Sequence, residues 1–329
     1  MLFRSNINLL LCGLSLLLAC ESSLDVPLPP HEPRLVINAF LNPEEAPEIY
    51  LSQSISKADL PLGNFLIPNA QLSLWQDGQK RGDFVYRDTI VEQMRPNGTP
   101  FEETLGKYEL VGVQVAPGQT YEVRGEHPDF PDIRAETYIP SEVVMEDFRF
   151  RPEVSRRFDE RSGQFEFENL IEFRFQDPPE QNSYYLELDV YYASPEIPGD
   201  TANYRSIGIT LATDSMDAGI STTSFGQWLR DSIRNGEQIE AQYRFLTYTN
   251  ESDQRTWTGQ EEIYFMELRL LNFNEATYQY LAKMALQSQL AGQDAFDLFP
   301  PESINVPSNV EGGYGILGGM SVTRQRFDF

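Results

Sequence analysis

The chain has 329 residues, with 25 Lys+Arg against 50 Asp+Glu and a formal charge of −25. Hydrophobic residues make up 40%, too much apolar material for a disordered chain and enough for a sizeable core. The acidity argues against nucleic-acid binding, which needs basic surface against phosphate, and against adhesion to anionic lipid through a basic patch.

Arg4 is the only charge before Cys20, and the stretch from Ile7 to Ala19 is mostly apolar. It is too short to span a bilayer, which takes ~20 apolar residues, but it fits the hydrophobic region of a signal peptide. It closes on Leu17-Leu18-Ala19-Cys20, which resembles a bacterial lipobox, where the cysteine thiol is acylated and the chain is cut just before it. Residues 1–19 are therefore expected to be a lipoprotein signal peptide and Cys20 the lipidated residue. Cys12 then leaves with the leader, so no thiol remains for a disulfide or a cysteine nucleophile. Several acyl chains at ~0.8 kcal/mol per buried methylene would hold the chain firmly on lipid. Residues 20–33 read as the lipidated cysteine and a tether, because Pro27, Pro29, Pro30 and Pro33 favour extended backbone.

Past the tether the pattern is that of strands. Leu35-Val36-Ile37 and Ile49-Tyr50-Leu51 are short apolar runs, and Ala70, Leu72 and Leu74 alternate with Gln71 and Ser73. Asp77-Gly78 signals a turn, Tyr108–Val113 a further strand, and Pro117-Gly118 a turn into Tyr121-Glu122-Val123-Arg124. The Gly118…Tyr121 spacing fits the tyrosine corner of a Greek-key sandwich as well as an ordinary surface turn. These features predict a β-sandwich over 34–140, with a boundary at Pro140.

From 141 to 329 the expectation is a second β-rich domain. Ile171, Phe173 and Phe175 alternate with Glu172, Arg174 and Gln176; Tyr184, Leu186, Leu188, Val190 and Tyr192 alternate with Tyr185, Glu187, Asp189 and Tyr191. Tyr264–Leu270 is another strand. Asn274 can cap a helix running to about residue 290, with Tyr278, Leu281, Ala282 and Ala285 on one face. The span 195–260 is polar and glycine-punctuated and reads as long loops of the kind that carry binding function. The fold class is thus mainly β: two consecutive β-sandwich domains, Ig-like or transthyretin-like, with one helix near the C-terminus.

Chemistry is constrained by scarcity. The two histidines are His31, in the tether, and His127, in the turn Glu126-His127-Pro128-Asp129, and no Gly-x-Ser-x-Gly elbow occurs. Zinc sites draw on His and Cys, of which too few remain. Asp214, Asp217 and Asn250-Glu251-Ser252-Asp253 offer oxygen ligands but lack EF-hand spacing. No catalytic residue, metal site or cofactor is assigned. Among the tryptophans, Trp228 and Trp257 in the loop-rich middle are candidate ligand-binding residues, with Trp75 beside them as one to watch. Gly313-Tyr314-Gly315-Ile316-Leu317-Gly318 matches G-x-G-x-x-G, but too few residues follow for the helix and acidic residue of a dinucleotide site. The glycines are instead expected to allow close packing at a final strand.

Several segments together resemble a known family: the lipobox, Leu35-Val36-Ile37-Asn38, Pro68–Leu74, Gly106-Lys107-Tyr108, Pro117–Tyr121, and the closing Asn305–Gly318 behind a helix bearing Tyr278 and Tyr280. The chain is similar to the Bacteroidota lipoproteins of the DUF4249 family over nearly the whole mature sequence. That resemblance implies an outer-membrane lipoprotein of unknown biochemical role, often encoded beside TonB-dependent receptors, and it assigns no catalytic residue. The expectation is a binding or accessory protein, held by outer-membrane lipid through the acylated cysteine. A TonB-dependent receptor is its partner, and a glycan or peptide its ligand. A structural or adhesive envelope protein is the alternative, followed by a carboxylate-dependent glycan hydrolase. Only Glu21 and Asp25 represent the acidic run that routes such lipoproteins outward. The expected face is the cell surface ahead of the periplasmic one.

Overall fold

The computed structural model describes residues 31–55, 66–94, 100–193, 203–207, 209–211, 226–230, 236–249, 256–257, 261–291 and 305–328. Cys20 and the loop oxygen ligands Asp214, Asp217 and Asn250-Glu251-Ser252-Asp253 lie outside them. In chain order come β1 (Leu35–Leu41), β2 (Glu48–Gln53), β3 (Gln71–Gln76), β4 (Gln79–Asp83), β5 (Val85–Met94) and β6 (Pro100–Glu109). Next are β7 (Gln119–His127), β8 (Phe130–Ile139), β9 (Glu146–Asp159), β10 (Gln164–Gln176), β11 (Asn182–Ala193), β12 (Asn203–Ile207) and β13 (Ile209–Leu211). The last are β14 (Gly226–Arg230), β15 (Gln238–Thr249), β16 (Thr256–Trp257), β17 (Glu261–Asn274), α1 (Glu275–Ala291), β18 (Val310–Glu311) and β19 (Tyr314–Phe327).

The protein is mainly β, with one helix near the C-terminus among the described residues. A ten-stranded sheet runs β12-β11-β17-β19-β1-β2-β6-β5, with β14 also on β11 and β16 on β17. A five-stranded sheet, β18-β8-β7-β3-β4, faces one end of it, and a four-stranded sheet, β13-β15-β10-β9, the other. The first core packs Leu35, Ile37, Leu41, Ile49 and Leu51 with Leu72, Leu74, Val123, Ile133 and Ile139. The second packs Ile171, Phe173, Phe175, Tyr243 and Phe245 with Tyr184, Leu186, Leu188, Met266, Leu268 and Leu270. Both follow from period-two alternation, which sends every second side chain to one face.

Residues 33–329 make one compact unit, because β19 belongs to both cores. It pairs in parallel with β1, Val36 opposite Tyr314 through Leu41 opposite Gly319, and then antiparallel with β17, Met320 opposite Phe273 through Phe327 opposite Met266. The passage around Pro140 is stitched to this strand and its neighbour by side chains. Asn272 Nδ2 (3.0 Å) and Ser321 Oγ (3.2 Å) donate to the Ser141 carbonyl, Asn274 Nδ2 donates to the Tyr138 carbonyl (2.6 Å), and Thr323 Oγ1 to the Val143 carbonyl. Each satisfies a carbonyl where the backbone leaves one sheet for another.

The glycines of the closing segment serve this crossing. Gly315 has φ +97°, and a Cβ there would lie 1.9 Å from the Ile37 carbonyl oxygen; one on Gly319 would lie 2.2 Å from the Tyr138 carbonyl oxygen. The final strand begins at Tyr314, so these glycines lie inside it.

Local signals hold at several places. Asp77 (φ 51°) and Gly78 (φ 73°) both have positive φ, the geometry of a type I′ turn, and close the β3–β4 hairpin. Tyr121 Oη accepts the Ala116 backbone N–H (2.9 Å), tying the strand back to the preceding turn as a tyrosine corner does. Asn274 caps α1, its Oδ1 accepting from Thr277 N at 2.9 Å. The helix covers the face of the large sheet opposite the second core, where Tyr278 packs with Tyr185 and Phe273.

Two expectations need correction. The strand at Tyr108–Val113 stops at Glu109, because Gly112 adopts φ +81° in a turn. The span 195–260 holds strands, above all β15, whose Ile239, Ala241, Tyr243 and Phe245 are buried in alternation. The glycines around it obscured a regular period of two.

Gly315→Ala is expected to destabilise the fold by about 3 kcal/mol or more, because neither φ nor space admits a Cβ. Gly163→Ala, at φ +70° with nothing within 4 Å, should cost only about 1 kcal/mol. Denaturant melts of the two variants compare the costs directly.

Candidate functional site

The outer face of the five-stranded sheet holds a groove of about 300 Å³ lined by Trp75, Gln76, Asp77, Gly78, Thr120, Tyr121, Glu122, Arg124, Arg134 and Glu136. Sheet register puts it together. Trp75 lies opposite Glu122 across β3 and β7, and Arg124 lies opposite Arg134 across β7 and β8. Alternation turns Leu74 and Val123 into the core and leaves these side chains outside. The Arg124 guanidinium stacks 4.0 Å from the Trp75 ring centroid, a cation–π contact. Trp75 Nε1 donates to Ser73 Oγ at 2.9 Å.

Glu122 is the hub. Its side chain is only 12% exposed; Arg134 Nη2 donates to one carboxylate oxygen at 2.6 Å and Arg124 Nε to the other. The Arg124 hydrogen bond, with the Arg134 bond beside it, holds the Glu122 carboxyl below its ordinary range despite burial. The groove offers one indole, a guanidinium fixed against it, the more exposed Arg134, and amide and carboxylate groups at the rim. Such a set can stack on and hydrogen-bond a polar ligand. No nucleophile with an adjacent base lines it.

A second polar cluster covers the large sheet beyond the helix. Arg269 Nη2 bridges Glu187 (2.6 Å) and Asp189 (2.9 Å), and Arg324 joins Glu267 (2.6 Å) to Glu44 (2.8 Å). Beside them Tyr191 stacks on Phe265 at 4.4 Å, and the Arg326 guanidinium sits 3.5 Å from the same ring. Desolvation pushes the Glu187 carboxyl up from its usual range, against the opposing pull of Arg269 and with Asp189 adding to the rise. Among the described residues, no group of three His, Cys, Asp or Glu side chains is placed to hold a metal ion.

His127 is a structural residue of its turn. Asp129 N donates to Nδ1 at 3.1 Å, which leaves Nε2 as the protonated nitrogen, donating to Asn69 Oδ1 at 2.9 Å; the ring lies 5.0 Å from Phe130. Both nitrogens are engaged, and neither meets a serine. Trp228 lies in β14 opposite Tyr185, and Trp257 in β16 opposite Glu261, so the two occupy different strands of the large sheet. Trp75 is the tryptophan that lines the groove. Glu122, Arg124 and Arg134 escaped the sequence reading, although the outward set Thr120, Glu122, Arg124 and Glu126 was visible as the polar half of an alternating strand.

The two clusters predict opposite pH signatures. Glu122→Gln should cost about 1–3 kcal/mol at neutral pH by leaving two arginines unpaired. Because the folded-state pKa of Glu122 is lowered, its contribution is present above the ordinary carboxylate pKa and lost as pH falls through the folded value. The two melting curves should converge in acid. Glu187→Gln should melt higher than the parent at neutral pH. A raised folded-state pKa penalises the ionised form, so the advantage fades as pH falls below that pKa. Thermal melts from pH 7 to pH 3 read both.

No curated protein matches the chain. One family model matches residues 21–326, beginning immediately after Cys20 and taking in both cores, the groove and the glycine-bearing last strand. The chain belongs to the family described as a domain of unknown function, DUF4249.

Proposed function

We propose that this protein is a lipid-anchored outer-membrane binding or accessory protein, working beside a TonB-dependent transporter in nutrient uptake. The observation that carries the proposal is the order of parts. A leader ending Leu17-Leu18-Ala19-Cys20 and a proline-rich tether precede a β-sheet body whose groove presents Trp75 and Arg134. Acylation of Cys20 supplies the anchor, and the tether gives the body reach. At up to ~3.5 Å per residue, the thirteen Cα steps from Cys20 to Pro33 extend to roughly 45 Å. The body supports binding rather than turnover. Its polar clusters are already paired within themselves, and a ligand would exchange water for preorganised partners. The transporter partnership follows from the likeness to lipoproteins encoded beside such receptors.

Cys20→Ala is expected to move the protein from the membrane fraction to the soluble fraction and to leave the leader uncleaved. Unchanged membrane fractionation overturns the anchor. Protease shaving of whole cells, followed by a gentle-detergent pull-down of the intact lipoprotein, reads face and partner together. A large outer-membrane receptor should co-purify, and recovery of the lipoprotein alone overturns the partnership. Trp75→Ala is expected to weaken binding of the captured ligand at least tenfold, as isothermal titration would show, with the fold retained.

A further inference from the structure

Strand register lays out the outer face of β3, β7 and β8 in two rows. One row is Trp75, Glu122 and Glu136; the next, two residues along each strand, is Ser73, Arg124 and Arg134. Neighbouring strands lie about 4.8 Å apart and alternate residues of one strand roughly 6.7 Å apart. A row that accepts hydrogen bonds thus runs beside a row that donates them, and Trp75, Glu122, Glu136, Arg124 and Arg134 all line one groove.

The rows are fixed before any ligand arrives. Arg124 is held twice, by Glu122 and by the indole 4.0 Å from its guanidinium, and Arg134 is held by Glu122. Arg124 uses Nε for Glu122, and Arg134 uses Nη2, so each guanidinium keeps further N–H donors. Trp75 uses its one N–H on Ser73, so the ring offers the groove carbon surface alone. At the β3–β4 turn Asp77 adds a carboxylate. Gln76, whose Nε2 donates to Gln119 Oε1 at 3.1 Å, keeps its amide carbonyl as an acceptor.

This set selects a class of ligand. In the lining the carboxylates of Asp77, Glu122 and Glu136 outnumber the guanidiniums of Arg124 and Arg134, on a chain of formal charge −25, which disfavours an anion. A cation would meet both guanidiniums. An apolar ligand would cover charged groups without giving them partners, which costs more than its burial returns. An extended peptide gains most at a sheet edge, through its main chain; this groove lies on a sheet face, and its volume of about 300 Å³ is at the small end for ligand cavities. A small neutral molecule satisfies every side chain if its groups both donate and accept and it has one apolar face. Saccharide hydroxyls do the first, and the C–H groups of a pyranose ring supply the second. The outer face of β9, β10 and β15 holds a cavity of about 240 Å³ with Arg149, Arg151, Arg174 and Glu240 in its lining, but its aromatic residue, Phe173, is buried. It has the charges without the platform.

We propose that the Trp75 groove binds the end of a neutral saccharide, with sugar C–H groups on the indole and hydroxyls shared between the guanidiniums of Arg124 and Arg134 and the carboxylates of Asp77 and Glu136. The inference rests on the binding-protein reading and deepens it by naming the ligand class. Binding needs no loop to close, because the platform and both rows stand on paired strands.

Full-length protein, purified in a detergent without sugar head groups, is titrated calorimetrically with maltotriose, mannotriose and xylotriose, and with trigalacturonate, trialanine and inorganic phosphate as comparators. The expected result is binding of a neutral trisaccharide, with an affinity that holds from low to molar salt because no net charge is paired. Trp75→Ala should weaken it about tenfold or more, and Trp75→Phe should restore most of the loss. Arg134→Gln, at a side chain 55% exposed, should also weaken it with the fold retained, so the test does not depend on Trp75 alone. Arg174→Gln, in the other cavity, should leave it unchanged. Trisaccharide binding that is indifferent to both Trp75→Ala and Arg134→Gln overturns the groove as the site. Trigalacturonate or phosphate bound ahead of the neutral sugars, and released by salt, overturns the ligand class. Trialanine bound in place of any sugar, with the same dependence on Trp75, overturns the saccharide and leaves the binding reading standing. Silence from every probe overturns both.

Discussion

The parallel pairing of β1 with β19 is the constraint from which the rest of the architecture follows. Strands that begin nearly 280 residues apart lie side by side, Ile37 opposite Gly315 and Ala39 opposite Leu317. A parallel neighbour cannot arrive through a tight turn, so the chain must build everything else before it returns. By then β19 has to pass between β1 and β8, where carbonyl oxygens of Ile37 and Tyr138 leave no room for a Cβ. Glycine at 315 and 319 is a consequence of that passage. Having passed, the same strand continues to β17, and one sheet serves two cores. The loop-closure entropy of such a long return is large, and the burial along both faces of β19 offsets it.

Charge is handled in the same architecture by pairing across strands. On the first sandwich Glu122 is held by two arginines, and its carboxylate is favoured. On the large sheet Glu187 and Asp189 share one guanidinium, and burial tips Glu187 the other way. Similar residues thus shift in opposite directions: the Arg124 and Arg134 hydrogen bonds outweigh burial at Glu122, and burial outweighs the pull of Arg269 at Glu187. The outer face of β9 and β10 shows the exposed version of the same device, with Arg151 on Glu172 and Arg157 on Glu166; pairs that open to water contribute little each. An acidic chain can still display guanidiniums on a sheet face, as the Trp75 groove does with Arg134.

Exposed chemistry is divided between the ends and the faces of the body. The end at which β1 begins carries the hairpin with exposed aliphatic side chains. The groove and the charged cluster lie on sheet faces, where loops do not have to move to expose them. Rigid sheet surfaces position polar groups more closely than loops do.

Alternation is a local property, and it was legible. The apolar run Leu35-Val36-Ile37 announced a strand, Ile171 to Phe175 and Tyr184 to Tyr192 half-buried ones, Asn274 a helix start and Asp77-Gly78 a turn, because each depends on neighbours a few residues away. The lipobox pattern is likewise read from neighbours alone, and it lies outside the described residues. Pairing between distant strands was not legible. Nothing in Leu35-Val36-Ile37 specifies Tyr314-Gly315-Ile316 as its neighbour, and the boundary suggested by Pro140 gave no hint that a later strand would run through both cores. Nor could the sequence put Trp75 beside Arg124 or Arg269 between Glu187 and Asp189, for these contacts are set by register across strands, a quantity of the assembled sheet. Residue type and period determined the elements; hydrogen-bonded register and the space left for β19 decided which side chains meet.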